Sequence, residues 1–189
     1  MHLFLSPHND DETLFGAYTL MREKPLVVIV TDSYVQQNRG ENITPQQRFQ
    51  ESVNAMKVLG CPVMRLGIRD DVIDEVAIIE RLAWFKNFDK VYAPAIQGGN
   101  PVHDLVGKCA EMVFKDRLVQ YSTYAKGEWI TPFEVKEGSG VQRVMPPDPH
   151  EDSVKLKEKA LSCYESQIKL MATKPHFEAV KGQDEWIKR

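Results

Sequence analysis

The sequence predicts an α/β fold in which helices flank a mostly parallel sheet. Two observations lead to this prediction. Strand-like and helix-like segments alternate along the chain, as they do in βαβ units with right-handed crossovers. The segment PLVVIVTD at 25–32 is an unbroken apolar run rich in β-branched residues, which is typical of a central parallel strand buried on both faces.

The first half of the chain is expected to fold as two strand–helix pairs. The strand MHLFLSP leads into the helix ETLFGAYTLMRE, which should stop before Pro25. After the strand at 25–32 and a polar loop, Thr44 is expected to cap the next helix and Pro45 to open it. That helix, QQRFQESVNAMKVLG, should end at Gly60.

The second half continues the alternation and then changes character. The expected strands are PVMRLGI, DKVYAPA and RLVQYSTYA, and the helices between them are DEVAIIERLAWFKN and LVGKCAEMVFKD. A short β-hairpin is predicted around EGSG, within 129–147. A last helix should begin near Asp152 or Ser153 and run unbroken through VKLKEKALSCYESQIKLM, whereas the tail from 174 has no clear pattern. We expect a single domain over 1–189.

Composition excludes several classes of partner. The chain has 189 residues and a net charge of −3, so no electrostatic footprint for nucleic acid or an anionic membrane is evident. It has neither an apolar run of about 20 residues nor a signal-peptide pattern at its start, which leads us to expect a cytoplasmic protein or one whose targeting segment was removed. The sequence is compatible with a monomer or a homo-oligomer. The widely spaced cysteines, Cys61, Cys109 and Cys163, are expected to be core thiols.

Polar residues cluster where predicted strands end. Open parallel sheets bind ligands beyond the carboxyl ends of their strands, at the switch point of the topology. That rule selects the loops at 7–12, 31–40 and 97–103, two of which contain a histidine. The long loop from Ser33 to Thr44 is expected to contact substrate or close over it.

The loop SPHNDDE carries residues that suit a metal ion. His8 and Asp11 are three residues apart at a strand-to-helix turn, and His103 on a neighbouring loop is the candidate third ligand. A cation among these groups would offset the repulsion between the carboxylates. Asp10 is then the candidate general base, and Glu12 is expected to support a ligand from behind. The alternative is that DDE only caps a helix.

An ordered set of motifs resembles the PIG-L/LmbE-like zinc-dependent N-deacetylases. SPHNDDE is similar to the AHPDDE-type motif of that family, and VTDS is similar to its TDG-type strand end. RFQE at 48–51, NPVH at 100–103 and ALSCYESQ at 160–167 follow in family order, so the resemblance spans most of the chain. It implies a Rossmann-like α/β fold.

The resemblance also implies roles for single residues. His8, Asp11 and His103 match the zinc ligands and Asp10 the general base, while Arg48 and Asn9 are assigned to substrate binding. The chain departs from the family at several positions. Asn9 replaces a proline, Asn100 a histidine that stabilises developing charge or acts as an acid, Val102 an aspartate and Tyr164 a histidine.

The implied activity is hydrolysis of an N-acetyl group, most simply from an amino sugar or its conjugate. Zinc is the expected cofactor, although ferrous iron or cobalt would suit the same ligands. Asn100 would donate a hydrogen bond to the oxyanion, and Asp10 or His150 would protonate the leaving amine. Three alternatives stay open: an amidase acting on a non-sugar N-acyl compound, a zinc-holding module without turnover, and a nucleotide-binding domain. The last lacks a glycine-rich phosphate loop.

Overall fold

A seven-stranded, mostly parallel sheet forms the centre of the molecule. The computed structural model describes residues 1–34, 42–125, 133, 139–147, 152–170, 174–180, 183 and 185–188. The strands are β1 (His2–Ser6), β2 (Leu26–Thr31), β3 (Val63–Ile68), β4 (Lys90–Pro94), β5 (Leu118–Tyr121), β6 (Val141–Val144) and β7 (Glu185–Lys188). Their order across the sheet is β3-β2-β1-β4-β5-β7-β6. The first five strands in that order pair in parallel, and β7 pairs antiparallel with both β5 and β6.

Helices cover both faces of the sheet, as predicted. Those with described bounds are α1 (Asp11–Glu23), α2 (Pro45–Leu59), α3 (Glu75–Leu82), α4 (Pro101–Phe114), α5 (Asp152–Leu161), α6 (Glu165–Ile168) and α7 (Lys174–Val180). Short 3-10 turns follow α3 and α4, at Ala83–Phe85 and Lys115–Arg117. Among the helices of the described ranges, none combines the length and the hydropathy of a membrane-spanning segment.

Alternate residues of the central strands enter two separate cores. Phe4 of β1 packs with apolar residues of α1, α2, α5 and α7, whereas Leu3 and Leu5 pack with those of α3 and α4. In β2, Val27 and Ile29 enter the first core, while Val28 and Val30 enter the second. Side chains of a strand point alternately to opposite faces, so a strand with both faces covered is apolar at every position.

Local chain signals place both ends of α2 correctly. The Thr44 hydroxyl caps α2 by accepting from the Gln47 amide at 3.1 Å, with Pro45 as the first helical residue. Gly60 ends the helix with φ 71°, a left-handed conformation that glycine adopts without steric cost.

Several sequence-based element boundaries differ from the structure. Helix α4 begins at Pro101 rather than Leu105, because Asn100 caps it. The predicted long last helix is broken after Leu161, and Tyr164 leads into the short α6. The tail contains α7 and β7.

The predicted hairpin is only partly described. Strand β6 supplies its second half, and the described partner of β6 is β7. Residues 126–132 and 134–138, which include most of the other half, lie outside the described residues. The same is true of residues 35–41 of the predicted substrate loop and of His150.

Candidate metal centre

The site lies at the switch point of the sheet. The chain passes from β1 to β2 and β3 on one side, and the later strands β4 and β5 lie on the other side of β1. The connections after the neighbouring strands β1 and β4 therefore diverge at their carboxyl ends and leave a crevice there. His8 follows β1 directly, and His103 lies in the first turn of α4, which follows β4.

Three ligand atoms converge in this crevice. Asp11 Oδ2 is 3.2 Å from His8 Nδ1 and 2.9 Å from His103 Nε2, and the two ring nitrogens are 3.2 Å apart. Two ligands at about 2.0–2.1 Å from a tetrahedral ion are separated by about 3.3 Å. The triangle thus has almost the size that a zinc-like ion requires, and its two imidazoles and one carboxylate are donors that zinc, iron and cobalt accept.

The charges of this triangle favour a cation. Burial works against ionisation of Asp11, but His103 and His8 outweigh it and keep the pKa of that carboxyl well below its usual range. Burial lowers the pKa of His8, yet the hydrogen bond and charge of Asp11 raise it overall. The His103 Nδ1 atom is buried and has no hydrogen-bond partner among the residues that the structure describes.

Asp10 adopts an unusual backbone conformation beside the triangle. Its φ is 125° and its ψ −31°, a region that residues with a side chain occupy at a cost of about 1–3 kcal/mol. Its carbonyl accepts from the Thr13 and Leu14 amides, both at 2.9 Å, and so starts α1. Burial, only partly offset by the Arg48 guanidinium, raises the pKa of Asp10 to about 7. Such strain is typical of functional sites.

Arg48 is a buried residue held by protein groups. Its Nη2 donates to Asp10 Oδ2 at 2.9 Å and to the Asn9 carbonyl, and its Nη1 donates to Glu51 Oε2 at 3.2 Å. Glu51 in turn accepts from the Ser166 amide at 2.8 Å and from the Ser166 hydroxyl at 2.7 Å. With only 1% of its surface exposed, Arg48 contacts the loop that carries Asp10. Its predicted contact with substrate stays a prediction.

Glu12 is a buried carboxylate that hydrogen-bonds to the loop carrying Asp10. Its Oε2 accepts from the Asp10 amide at 3.0 Å and from the Ser6 hydroxyl at 2.8 Å. Its Oε1 accepts from the Tyr164 hydroxyl at 2.6 Å, which leaves the Thr13 hydroxyl, 2.9 Å away, to donate to the tyrosine oxygen. Burial and the charge of Glu12 raise the pKa of Tyr164 well above its ordinary value, so the phenol keeps its proton. The described bonds of Glu12 thus hold the backbone of Asp10. Its predicted support of a metal ligand stays a prediction.

The two asparagines of the predicted site also bond to the protein. Asn9 is buried, with its Nδ2 donating to the Ser33 hydroxyl at 3.1 Å and its Oδ1 accepting from the Ser52 hydroxyl at 3.3 Å. Asn100 Oδ1 accepts from the amides of Val102 at 2.9 Å and His103 at 3.4 Å. Asn100 therefore caps the helix that carries His103. The roles of Asn9 in substrate binding and of Asn100 in catalysis remain predictions.

Sequence reasoning missed several residues that shape the site. Asp104 accepts from the Gln97 and Gly98 amides at 2.9 and 3.1 Å and so folds the turn before α4. The Tyr124 ring lies 5.3 Å from the His103 ring and 4.9 Å from that of Phe15. Tyr124 could have been found, because it follows β5 at the same edge of the sheet. Asp104 gave no comparable signal.

Comparison with known proteins identifies the fold. No family model matches the chain, and neither does any curated protein. The solved structure of A40926 pseudoaglycone deacetylase Dbv21 is 14% identical with a TM-score of 0.71, covering 99% of this chain and 95% of the other. The zinc-inhibited form of teicoplanin deacetylase Orf2 is also 14% identical, with a TM-score of 0.71 and coverages of 99% and 96%.

The same fold also occurs in a protein with different chemistry. GalB, the 4-carboxy-2-hydroxymuconate hydratase from Pseudomonas putida KT2440, is 12% identical with a TM-score of 0.63, covering 99% of this chain and 94% of the other. At these identities the likeness establishes a shared architecture. The activity has to be argued from the residues of the site.

Proposed function

We propose that this protein is a metal-dependent amide hydrolase, a divergent member of the PIG-L/LmbE-like N-deacetylases. The observation that carries the proposal is the triangle of His8, Asp11 and His103, with the Asp10 carboxylate on the adjoining residue. The ordered motifs and the deacetylase architecture of two structural neighbours support it.

Each residue of the centre has a distinct part in this proposal. His8, Asp11 and His103 would hold a divalent ion, which would act as a Lewis acid on the amide carbonyl and would lower the pKa of a water molecule. Asp10 takes the proton of the attacking water and returns it to the leaving amine. Arg48 holds the Asp10 carboxylate through Oδ2, which leaves the other oxygen for this transfer.

The substrate we propose is an N-acetylated amino sugar or a conjugate of one. The motif resemblance supports a sugar, and the neighbours named as deacetylases act on the antibiotics in their names. An N-acyl compound without a sugar is the alternative within the same reaction class. Zinc or another divalent transition metal is the proposed cofactor.

A second candidate is addition of water to a carbon–carbon double bond. The observation in its favour is the shared architecture with the hydratase GalB. Both reactions need activated water and a carboxylate that moves a proton, so the residues of the centre alone do not separate them. The products do, because only deacetylation releases acetate and a free amine.

The experiment combines metal analysis with product detection. Purified protein is loaded separately with zinc, cobalt and ferrous iron, and is assayed for acetate and free amine on a panel of N-acetylated sugars and N-acyl amines. Asp10→Asn should keep the bound metal and lower kcat by about 10²–10⁴-fold, because the amide cannot accept the proton. His103→Ala should lose most of the metal.

A matched control tests whether the effect is local. Asp89→Asn removes an exposed carboxylate next to the opposite end of β4, where Asp89 pairs with the N-terminal ammonium, and should change neither metal content nor kcat. Full metal occupancy in His103→Ala would show that the third ligand is misassigned. Bound metal without turnover of any amide would favour the non-catalytic module.

A further inference from the structure

We propose that the turn from Tyr164 to Ser166 is a positioning device that holds Asp10 from two sides, through Glu12 and through the Arg48–Glu51 pair. The proposal rests on the proposed function, in which Asp10 moves the proton. It explains the break between α5 and α6, where the sequence predicted one continuous helix.

The first path, a chain of hydrogen bonds that begins at Tyr164, ends on the backbone of Asp10. The Tyr164 hydroxyl donates to Glu12 Oε1 at 2.6 Å, and Glu12 Oε2 accepts from the Asp10 amide at 3.0 Å. Tyr164 and Glu12 are completely buried, so solvent cannot replace either bond. Because Asp10 occupies a strained φ of 125°, its conformation persists only where the surroundings hold it.

The second path ends on the Asp10 side chain. Ser166 donates to both oxygens of Glu51, through its amide at 2.8 Å and its hydroxyl at 2.7 Å. Glu51 accepts from Arg48 Nη1 at 3.2 Å, and Arg48 Nη2 donates to Asp10 Oδ2 at 2.9 Å. The guanidinium is planar and its donors have fixed directions, so orienting one edge on Glu51 orients the other on Asp10.

The two paths start two residues apart and meet on one residue more than 150 positions earlier in the chain. A continuous helix through Leu161–Ile168 would place Tyr164 and Ser166 on nearly opposite sides, about 160° apart around its axis. The break lets Tyr164 reach Glu12 while Ser166 reaches Glu51. Together the two paths hold both the backbone and the carboxylate of Asp10. A group that transfers a proton needs both to be held in position.

The test uses two conservative variants, each with a control of the same type. Tyr164→Phe removes the hydroxyl but keeps the ring beside Phe177, and Ser166→Ala removes the second bond to Glu51.

Tyr121→Phe is the control for Tyr164→Phe, since the buried Tyr121 hydroxyl donates to the Leu5 carbonyl in β1. Ser162→Ala is the control for Ser166→Ala, since the Ser162 hydroxyl donates to the Lys159 carbonyl within α5.

The kinetic readout separates positioning from binding. Tyr164→Phe and Ser166→Ala should each lower kcat by about 10-fold with KM and metal content within about twofold of the parent, because the reacting geometry is loosened without loss of a ligand. The double variant should lose less than the product of the two single losses, since both act on Asp10. Parental kcat in both single variants would overturn the proposal.

Amide hydrogen exchange provides a readout that does not depend on activity. Tyr164→Phe should speed exchange of the Asp10 amide by about 10-fold or more, because Glu12 is no longer held in place, while Tyr121→Phe should not. If the parent turns over no substrate but Tyr164→Phe speeds this exchange, the positioning stands and the proposed function fails. Unchanged exchange in an active enzyme would overturn the positioning alone. If Tyr164→Phe does not fold, Ser166→Ala decides the matter through kcat and metal content.

Discussion

At the scale of single residues, Asn100 has two amide atoms with separable uses. Its Oδ1 accepts from the Val102 and His103 amides and so caps α4, the helix that carries a proposed ligand. Its Nδ2 is the atom that would donate to the oxyanion in the predicted mechanism. A substitution that keeps one use and removes the other can tell them apart.

The comparison of Asn100→Ser with Asn100→Ala makes that separation. Serine is a good N-cap without charge, whereas alanine is a poor one. Asn100→Ala should lower the free energy of unfolding by about 1 kcal/mol in urea titrations, and Asn100→Ser by much less. If Nδ2 stabilises the oxyanion, both variants should lose about 10²-fold in kcat. Parental kcat in Asn100→Ser would mean that Asn100 acts only as a cap.

At the scale of elements, a buried carboxylate of strand β7 is hydrogen-bonded to the middle of helix α1. Glu185 of β7 accepts from the Tyr18 and Thr19 amides of α1, at 2.8 and 3.1 Å. It also pairs with Lys157 of α5 at 3.2 Å, and both charged side chains are at least 98% buried. One carboxylate therefore joins α1, α5 and β7, which are remote in sequence.

Removing that carboxylate should destabilise the whole fold. Glu185→Ala leaves Lys157 as a buried, unpaired charge, and we expect a loss of about 3–5 kcal/mol in the free energy of unfolding. The control is Glu165→Ala, which breaks the exposed pair of Glu165 with Lys169 and should cost less than about 1 kcal/mol. If urea titrations gave the two variants equal losses in the free energy of unfolding, Glu185 would not hold these elements together.

At the scale of the whole molecule, metal binding should be coupled to folding. Asp11 and His103 are 92 positions apart, and the crevice that unites them exists only once β1 and β4 pair. An ion that binds this site binds the folded state alone, and so stabilises it by mass action.

A thermal shift measures that coupling. At a free zinc or cobalt concentration of 100 times Kd, stability should rise by about 2.7 kcal/mol, which corresponds to roughly 5–10 °C in Tm for a chain of this size. His103→Ala should abolish the shift. His2→Ala should keep it, because His2 pairs with Glu23 at the other end of β1. An undiminished shift in His103→Ala would place the ion elsewhere.

Features that are local in the chain could be predicted from the sequence. The apolar runs of β1 and β2 predict strands covered on both faces, and Thr44, Pro45 and Gly60 mark the ends of α2. The proposed ligands His8 and Asp11 could be found in the sequence for the same reason, because one turn of the chain carries both. The strand–helix alternation then predicted the switch point at which His103 joins them.

The contacts that support the metal centre join residues remote in sequence, and these contacts could not be predicted from the sequence. Tyr164 and Ser166 reach Glu12 and Glu51 across more than 110 positions, and the helix breaks to make those contacts although its sequence favours continuation. Strand β7 is four residues long, too short for a periodic pattern, and gains its place from pairing with β5 and β6. Local propensities amount to tenths of a kcal/mol per residue, whereas leaving a buried polar group without a partner costs about 1–3 kcal/mol. Where the two conflict, the contacts that satisfy buried groups decide the structure.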